Sequence, residues 1–449
     1  MTEFHVTFPD IQINTGLFDL IKNIKNIKPL KPEIKIDDVH IACQIGSGKF
    51  SDVFLAIVGP DCYALKIFKP YYHHRVEEER NTLLLLTKYG VPNIPRLIST
   101  FSVTESRREA FLMDLMYEHY NINKIRELTI DVKIAIIYKI FLSLKRANEA
   151  GIIHGNICPS NILIDSSLEQ FKSNKKIDLK LLVNLLIVGW NISIRNQDRT
   201  MFQRISSNKS VSIQYTIDHK DYKIWGGDLA FKAPELLVHK KMITSKVDVW
   251  SVGCLFAYFL LGEKEKLWDE SEKGSSLPEN FEQLRKIALK KGPDDILKSC
   301  KEFIPAVHIG SFSSISQQKN PFETISNKIN DSLLDIIEKT FYSGNEINHD
   351  LLDKNSNKEY WEKIYKEICK KPETSENPEI SVNDDENIRQ LKLSKNALYK
   401  NLNNLIQQCI CVSEFTRLNT ANALEEITRI RDSLNEFQNS LLKLKKQNE

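Results

Sequence analysis

From Ile41 to Ala56, apolar and polar residues alternate into a glycine turn and out again, which predicts a β-hairpin. Tyr63-Ala64-Leu65-Lys66-Ile67-Phe68 predicts a further strand, with the Lys66 stem in the core and its ammonium on the inner face. Residues 75–88 pass from charged to apolar and predict a helix. Asn93–Ile98 and Ala110–Met116 predict two more strands, and Asp131 to Ala150 a long helix. Gly151 to Leu163 runs apolar, polar, apolar, the pattern of strand, loop and strand. Ala421 to Lys445 predicts a last helix with a solvated, Lys-rich end. Gly310–Asn330 and Glu373–Asn387 are polar, rich in Asn, Ser and Lys, and carry neither helical nor strand periodicity. Lys301 to Lys395 is therefore expected to be a partly disordered insertion. Ahead of the hairpin, Phe18–Ile27 predicts a short amphipathic helix followed by a Lys/Pro-rich linker.

Composition narrows the class. A chain of 449 residues allows one to three domains. Its 41% hydrophobic and 27% charged content is globular. A net charge of +3 is small for this length and argues against nucleic acid or an anionic membrane as partner. The eight Cys form no metal-site pattern, and Cys409-Ile410-Cys411 reads as core packing. Free Cys fits a reducing compartment. The start, MTEFHVTFPD, lacks a basic region followed by an apolar core, so no signal peptide is expected. Leu181 to Trp190 is too short to span a bilayer and contains Asn184. An intracellular protein, cytoplasmic or nuclear, is expected.

Candidate chemistry centres on His154-Gly155-Asn156-Ile157-Cys158-Pro159-Ser160-Asn161. This stretch resembles the catalytic loop of eukaryotic protein kinases, H-R-D-x-K-P-x-N, with His154, Pro159, Ser160 and Asn161 matching at the family's spacing. Asn156 stands where that family has its catalytic Asp, Gly155 replaces the Arg and Cys158 the Lys. An amide cannot accept a hydroxyl proton as a carboxylate does. Upstream, Ile45-Gly46-Ser47-Gly48 and Val53 resemble the glycine-rich loop G-x-G-x-x-G-x-V, with Ser51 in the third Gly's place. Gly46 and Gly48 leave backbone N–H groups open to phosphate oxygens, and Val53 is placed to cover an adenine. Ala64-Leu65-Lys66 resembles the family's A-I-K strand, whose Lys pairs with nucleotide phosphates and a helix Glu. Glu79 best fits that Glu, with Glu77 and Glu78 as rivals. Met113 to Met116 would form the adenine hinge. Tyr117-Glu118-His119-Tyr120 after it is similar to the DDK-type cell-division-cycle kinase.

The family's magnesium-binding Asp-Phe-Gly has its best match at Leu186–Asn191, with Ile187 in the Asp's place and Val188 in the Phe's. Isoleucine cannot bind Mg²⁺. The other register uses Asp178, nearer the usual spacing but followed by Lys180 where Gly is needed. Asn161 matches the second metal ligand. Residues 192–224 resemble a long activation segment in which Ser206, Ser207, Ser210 and Thr216 are candidate phosphate acceptors. With no Arg at Gly155 the usual phosphate partner is missing, so a phosphorylation switch is not expected. Phe231-Lys232-Ala233-Pro234-Glu235 resembles F-x-A-P-E. Asp248-Val249-Trp250-Ser251-Val252-Gly253 resembles D-x-W-S-x-G. Arg417-Leu418-Asn419-Thr420-Ala421 resembles R-x-T-A, and the resemblance implies a buried Glu235–Arg417 ion pair.

The resemblance covers about residues 39–430. It implies an α+β two-lobe kinase fold: a small antiparallel β-sheet lobe (39–116) and a larger, mainly α-helical lobe (117–430). Residues 1–38 would be an N-terminal extension and 431–449 the end of the last helix. The lost Asp, Lys and metal-binding Asp imply a pseudokinase that binds ATP with little or no transfer, as a binding or regulatory module. The alternative is an active Ser/Thr kinase of the DDK type that uses substitute residues. ATP is the implied cofactor, and the missing carboxylate argues against Mg²⁺. The implied partner is a protein, as substrate or binding partner, with no nucleic acid and no membrane.

Overall fold

The computed structural model describes residues 38–69, 73–103, 108–116, 125, 127–165, 184–190, 194–195, 203–207, 210–216, 227–240, 242–262, 267–268, 278–313, 321–343, 346–347 and 386–446. Five strands, β1 (His40–Ser47), β2 (Ser51–Val58), β3 (Asp61–Phe68), β4 (Leu97–Val103) and β5 (Arg108–Met113), form one antiparallel sheet in the order β1-β2-β3-β5-β4. The two-residue side-chain period sorts them into faces. Tyr63, Leu65 and Ile67 join Phe54, Ala56, Ala110 and Leu112 in one cluster. Cys62 and Ala64 join Ala42, Leu55 and Leu115 in another. The register sets Val53 opposite Lys66 and Lys66 opposite Phe111, so the lysine sits mid-sheet, flanked by apolar residues.

Helix α1 (His73–Lys88) follows β3. Val76, Glu79, Leu83 and Leu86 recur at three- and four-residue steps, which is one face of a helix. The three apolar members are buried in the core beside Phe68 and Phe111. Glu79 therefore enters the interior on an apolar stripe, the placement a buried ion pair requires.

The larger region is mainly helical. Helix α2 (Ile130–Glu149) lays a long Ile/Leu/Phe stripe into the core. Short strands β6 (Ile152–Ile153), β7 (Ile162–Ile164), β8 (Leu185–Ile187) and β9 (Ile194–Arg195) follow. β7 pairs with β8 and β6 with β9, both antiparallel. Next come α3 (Pro234–Leu237) and α4 (Lys246–Leu261), the latter buried from Val247 onward. A helix apolar on all sides belongs at the centre of a large core. After it come α5 (Glu279–Lys291), α6 (Pro293–Cys300), α7 (Ala306–Ser313), α8 (Pro321–Phe341), α9 (Glu386–Cys409) and α10 (Thr420–Lys446), of which α8, α9 and α10 pack against α4 together with α2. The sheet and this helical mass are the two lobes of an α+β fold.

One expectation is corrected. Gly310–Asn330 does carry helical periodicity, because α8 runs through its second half. Phe322, Ile325, Ile329, Leu333 and Ile337 are buried at steps of three and four residues. Polar residues between them hid a stripe only one residue wide. Leu391, Leu398, Leu402 and Leu405 of α9 are buried in the same core. Helices from the expected insertion thus supply interior packing. Glu373–Asn387 lies outside the described residues except for its last two, which open α9, and Phe18–Ile27 lies wholly outside them. Cys409 is buried in the core. Among the described residues, no helix is long and apolar enough to cross a membrane.

Candidate nucleotide and catalytic site

The β1–β2 hairpin is closed by a hydrogen bond from the Gly48 N–H to the Ser51 carbonyl, 2.9 Å. Asp52 ties it together: its Oδ1 accepts from Ser47 Oγ at 2.7 Å, and Lys69 Nζ lies 3.6 Å away. Lys69 Nζ also donates to the Gly48 carbonyl at 2.7 Å. Ile45, at the hairpin's inner rim, is 42% exposed, while Ala64 is buried. Gly46 lies opposite Val53. Gly46, Val53 and Ala64 share the sheet surface that leads to Leu115, next to the β5 end. The Met113–Met116 segment is held by Asp114, whose carboxylate accepts Arg96 Nε at 2.8 Å and Nη2 at 3.0 Å.

Beneath the hairpin, Lys66 Nζ donates to both oxygens of Glu79, at 2.7 and 2.6 Å. Both side chains are buried. Of the three adjacent glutamates it is Glu79 that meets the lysine; Glu77 is exposed and faces Arg80. The ammonium also lies 4.9 Å from the Phe68 ring centroid, a favourable cation–π position.

The catalytic loop is fixed from below. Asp248 of α4 accepts the backbone N–H of His154 at 2.9 Å and of Gly155 at 2.8 Å. His154 Nε2 is 2.9 Å from the Val188 carbonyl, and its Nδ1 accepts the Asn156 N–H at 3.2 Å. A carbonyl can only accept, so the proton sits on Nε2 and the ring is neutral. Burial pushes the imidazole pKa down to about 4, against the opposing pull of the Val188 carbonyl. The ring stands edge-on to Trp190, centroids 4.4 Å apart, and the Trp190 Nε1–H donates to the Ile187 carbonyl at 2.8 Å.

This geometry sets Ile187 away from the Asn161 side chain. Ile187 is fully buried in β8, opposite Ile162, with its N–H on the Asn93 carbonyl at 2.7 Å. The residue that faces the Asn161 side chain is Gly189. A Cβ built on Gly189 would stand 2.6 Å from Asn161 Oδ1, and its φ of +83° is a left-handed conformation that glycine adopts without strain. The expectation puts Ile187 in the Asp's place because apolar strand residues should precede that motif; Ile187 itself belongs to that strand. Asn161 turns its Nδ2 to the Asn156 carbonyl at 2.9 Å. Asp178 and Tyr117–Tyr120 lie outside the described residues. Ser206, Ser207, Ser210 and Thr216 fall on the antiparallel strands Gln203–Ser207 and Ser210–Thr216.

Asn156 is engaged as well. Its Oδ1 accepts the Asp228 N–H at 3.1 Å. Gly227, φ +102°, packs so closely that a Cβ there would lie 2.2 Å from that oxygen. Cys158 is buried with its Sγ 3.2 Å from Ser160 Oγ, and burial raises its pKa, so it stays a neutral thiol. Lys232 is also interior; burial pushes its pKa down to about 8, against the attraction of the Asp228 and Asp248 carboxylates. Sequence reasoning missed Gly189, Gly227, Asp228 and Lys232. Only Lys232 carried a signal, a lone charge between Phe231 and Ala233. Farther below, Arg417 forms a two-pronged pair with Glu235, at 2.5 and 3.0 Å. Among the described residues no three or more His, Cys, Asp or Glu side chains gather as a metal site.

His154 and Asp248 respond oppositely to acid. His154 has a folded pKa near 4 against 6.5, so acidification from 6.5 towards 4 protonates the unfolded chain first and lowers stability. Asp248, raised by burial to about 6 from 3.8, is protonated first in the folded chain, so acidification through that window adds stability. Comparing His154→Asn with the parent leaves the Asp248 contribution in common. Between pH 7 and pH 5 the parent should lose about 2 kcal/mol more stability than the variant in urea unfolding. Equal losses would mean that His154 does not resist protonation.

The sequence model of the family described as "Protein kinase domain" matches residues 39–427. A curated protein of Dictyostelium discoideum, described as a "Probable serine/threonine-protein kinase", is 28% identical over 275 residues. The match covers 60% of this chain and 37% of that relative.

Proposed function

The chain belongs to the protein kinase family, and on that premise we propose that it is a pseudokinase: it holds ATP between its lobes, transfers phosphate poorly or not at all, and acts as a protein-binding or regulatory module. One observation carries the reading. The residue facing Asn161, where the family's metal-binding Asp would stand, is Gly189, which has no side chain to offer and whose φ of +83° favours glycine. A magnesium ion needs oxygen ligands, with carboxylates as the usual anchors. The Asn161 amide and a glycine do not fit it. Asn156 cannot act as proton acceptor, and its side-chain oxygen already holds the Asp228 N–H.

The residues do fit a nucleotide. When bound, ATP would supply its phosphates as the anionic partner for Lys66. Lys66 is held in place by Glu79, whereas the Gly48 N–H, expected to be open to phosphate, is taken up inside the hairpin by the Ser51 carbonyl. Val53 and Ala64 give an apolar surface for the base.

The formed Lys66–Glu79 pair favours a second reading, an active Ser/Thr kinase. In that reading the substrate is a protein hydroxyl, as the name of the Dictyostelium relative, a probable serine/threonine-protein kinase, describes for that protein. The DDK-type version rests on Tyr117–Tyr120 alone. Thermal melting separates the two. With ATP in EDTA the melting temperature should rise, and Mg²⁺ in excess should leave the rise unchanged. A rise that needs Mg²⁺, or transfer of labelled phosphate to a generic protein substrate, would favour the active kinase. No rise under either condition would sink nucleotide binding.

A further inference from the structure

The glycine hairpin is gripped from the sheet face that looks away from Lys66. Lys66 and Phe68 share one face of β3, the ammonium lying 4.9 Å from the ring centroid. Successive strand residues alternate in face, so Lys69 leaves on the other, the face on which Ile67 and Leu65 pack with Phe54. Asp52, two residues before Phe54 and opposite Ile67, belongs to that outer face too. There Lys69 Nζ donates to the Gly48 carbonyl at 2.7 Å and lies 3.6 Å from Asp52 Oδ1. The same oxygen accepts from Ser47 Oγ at 2.7 Å and from Gln44 Nε2 at 3.4 Å. The Lys69 N–H is fixed on the Phe50 carbonyl at 2.9 Å, so this side chain starts from a set point.

The grip has a consequence for the opposite face. In a planar trans peptide the C=O and the following N–H point in opposite directions. With the Gly48 carbonyl drawn to the outer face, the Lys49 N–H is turned towards the face of Lys66. That N–H has no acceptor among the described residues, whereas the Gly48 N–H is taken by the Ser51 carbonyl. Without the grip this peptide could rotate, and a ligand would have to order it on binding.

We propose that Lys69 is a positioning residue of the nucleotide site: together with Asp52 it holds the hairpin tip from outside, so that the Lys49 N–H is presented to nucleotide phosphates before they arrive. Lys69 itself touches no part of the nucleotide. The proposal rests on the nucleotide-binding reading above. The Lys69 and Asp52 side chains are 37% and 31% exposed, so their pairing adds little to global stability, unlike the buried Lys66–Glu79 pair.

Calorimetric titration of the full chain in EDTA with ATP, ADP and adenosine tests it. Lys69→Met should weaken ATP and ADP about fivefold, the loss of a pre-ordered loop, and leave adenosine unchanged, with the urea midpoint close to the parent's. Hydrogen exchange at Gly46–Phe50 should quicken in the nucleotide-free variant. Lys69→Arg, which keeps a cationic donor for both partners, should bind as the parent does. Asp52→Ala fixes the sign, and decides alone if Lys69→Met does not fold. Were Lys69 to act on phosphates through its charge, removing the neighbouring carboxylate would tighten ATP; a grip that loses its anchor should weaken ATP about threefold. ATP affinity unchanged in Lys69→Met, adenosine weakened as much as ATP, or ATP unchanged or tightened in Asp52→Ala overturns the assignment while nucleotide binding stands. No binding of ATP or ADP by the parent overturns both.

Discussion

Arg417→Met is expected to lower folding stability by about 3–5 kcal/mol, because it leaves a buried carboxylate without its partner. The Arg417 side chain is fully buried and that of Glu235 only 5% exposed. Every N–H of the guanidinium is used. Nε donates to the Cys411 carbonyl at 2.8 Å, Nη1 to Glu235 and to the Lys246 carbonyl, and Nη2 to Glu235 and to the Val412 carbonyl. The guanidinium carbon also lies 5.1 Å from the Trp250 ring centroid. This bracket joins α3, the start of α4 and the turn before α10. A double variant, Arg417→Met with Glu235→Leu, should recover part of the loss and not all of it, because the Cys411, Lys246 and Val412 carbonyls each still lose the donor Arg417 gave them. Arg417→Lys should cost nearly as much as Arg417→Met, since an ammonium cannot reproduce five donors in a planar fork. Denaturant unfolding measures each variant. Arg417→Lys within about 0.5 kcal/mol of the parent would show that charge alone, and not the fork, stabilises this junction.

The two-lobe fold is legible in the sequence because its elements carry strong periods. The hairpin, the Lys66 strand and α2 each fill a face with apolar residues at the period of their structure. Helix α8 is harder to read, since its buried Ile and Leu residues are separated by Asn, Ser and Lys that the fold leaves outside. Site legibility follows the same division. Lys66 and Glu79 stand out because charge on an apolar face needs a partner. Gly189 does not, because the property that matters there is the lack of a side chain next to Asn161, and absence has no period. Asp228 depends on a long-range approach between segments some seventy residues apart in sequence, which local pattern cannot reveal.

Lys66→Met is expected to abolish the ATP-induced rise in melting temperature, and it will also destabilise the free protein. Glu79 is 3% exposed and has Lys66 as the donor to both of its oxygens. Removing the lysine leaves that charge buried, at a cost of about 3–5 kcal/mol. The single variant therefore mixes a binding defect with a folding defect. Lys66→Met with Glu79→Leu separates them, because an apolar pair of similar volume replaces the ion pair and should return stability to near the parent's. Nucleotide affinity should stay low in the double variant, down about ten- to a hundredfold, since the phosphates have lost a charged donor worth about 1.5–3 kcal/mol. Glu79→Gln should do the reverse. It keeps the ammonium, loosens its placement, and should weaken ATP binding less than the double variant does. If the double variant is stable and still gains the parental rise with ATP, Lys66 serves the fold alone, and the hairpin must hold nucleotide by its backbone without it.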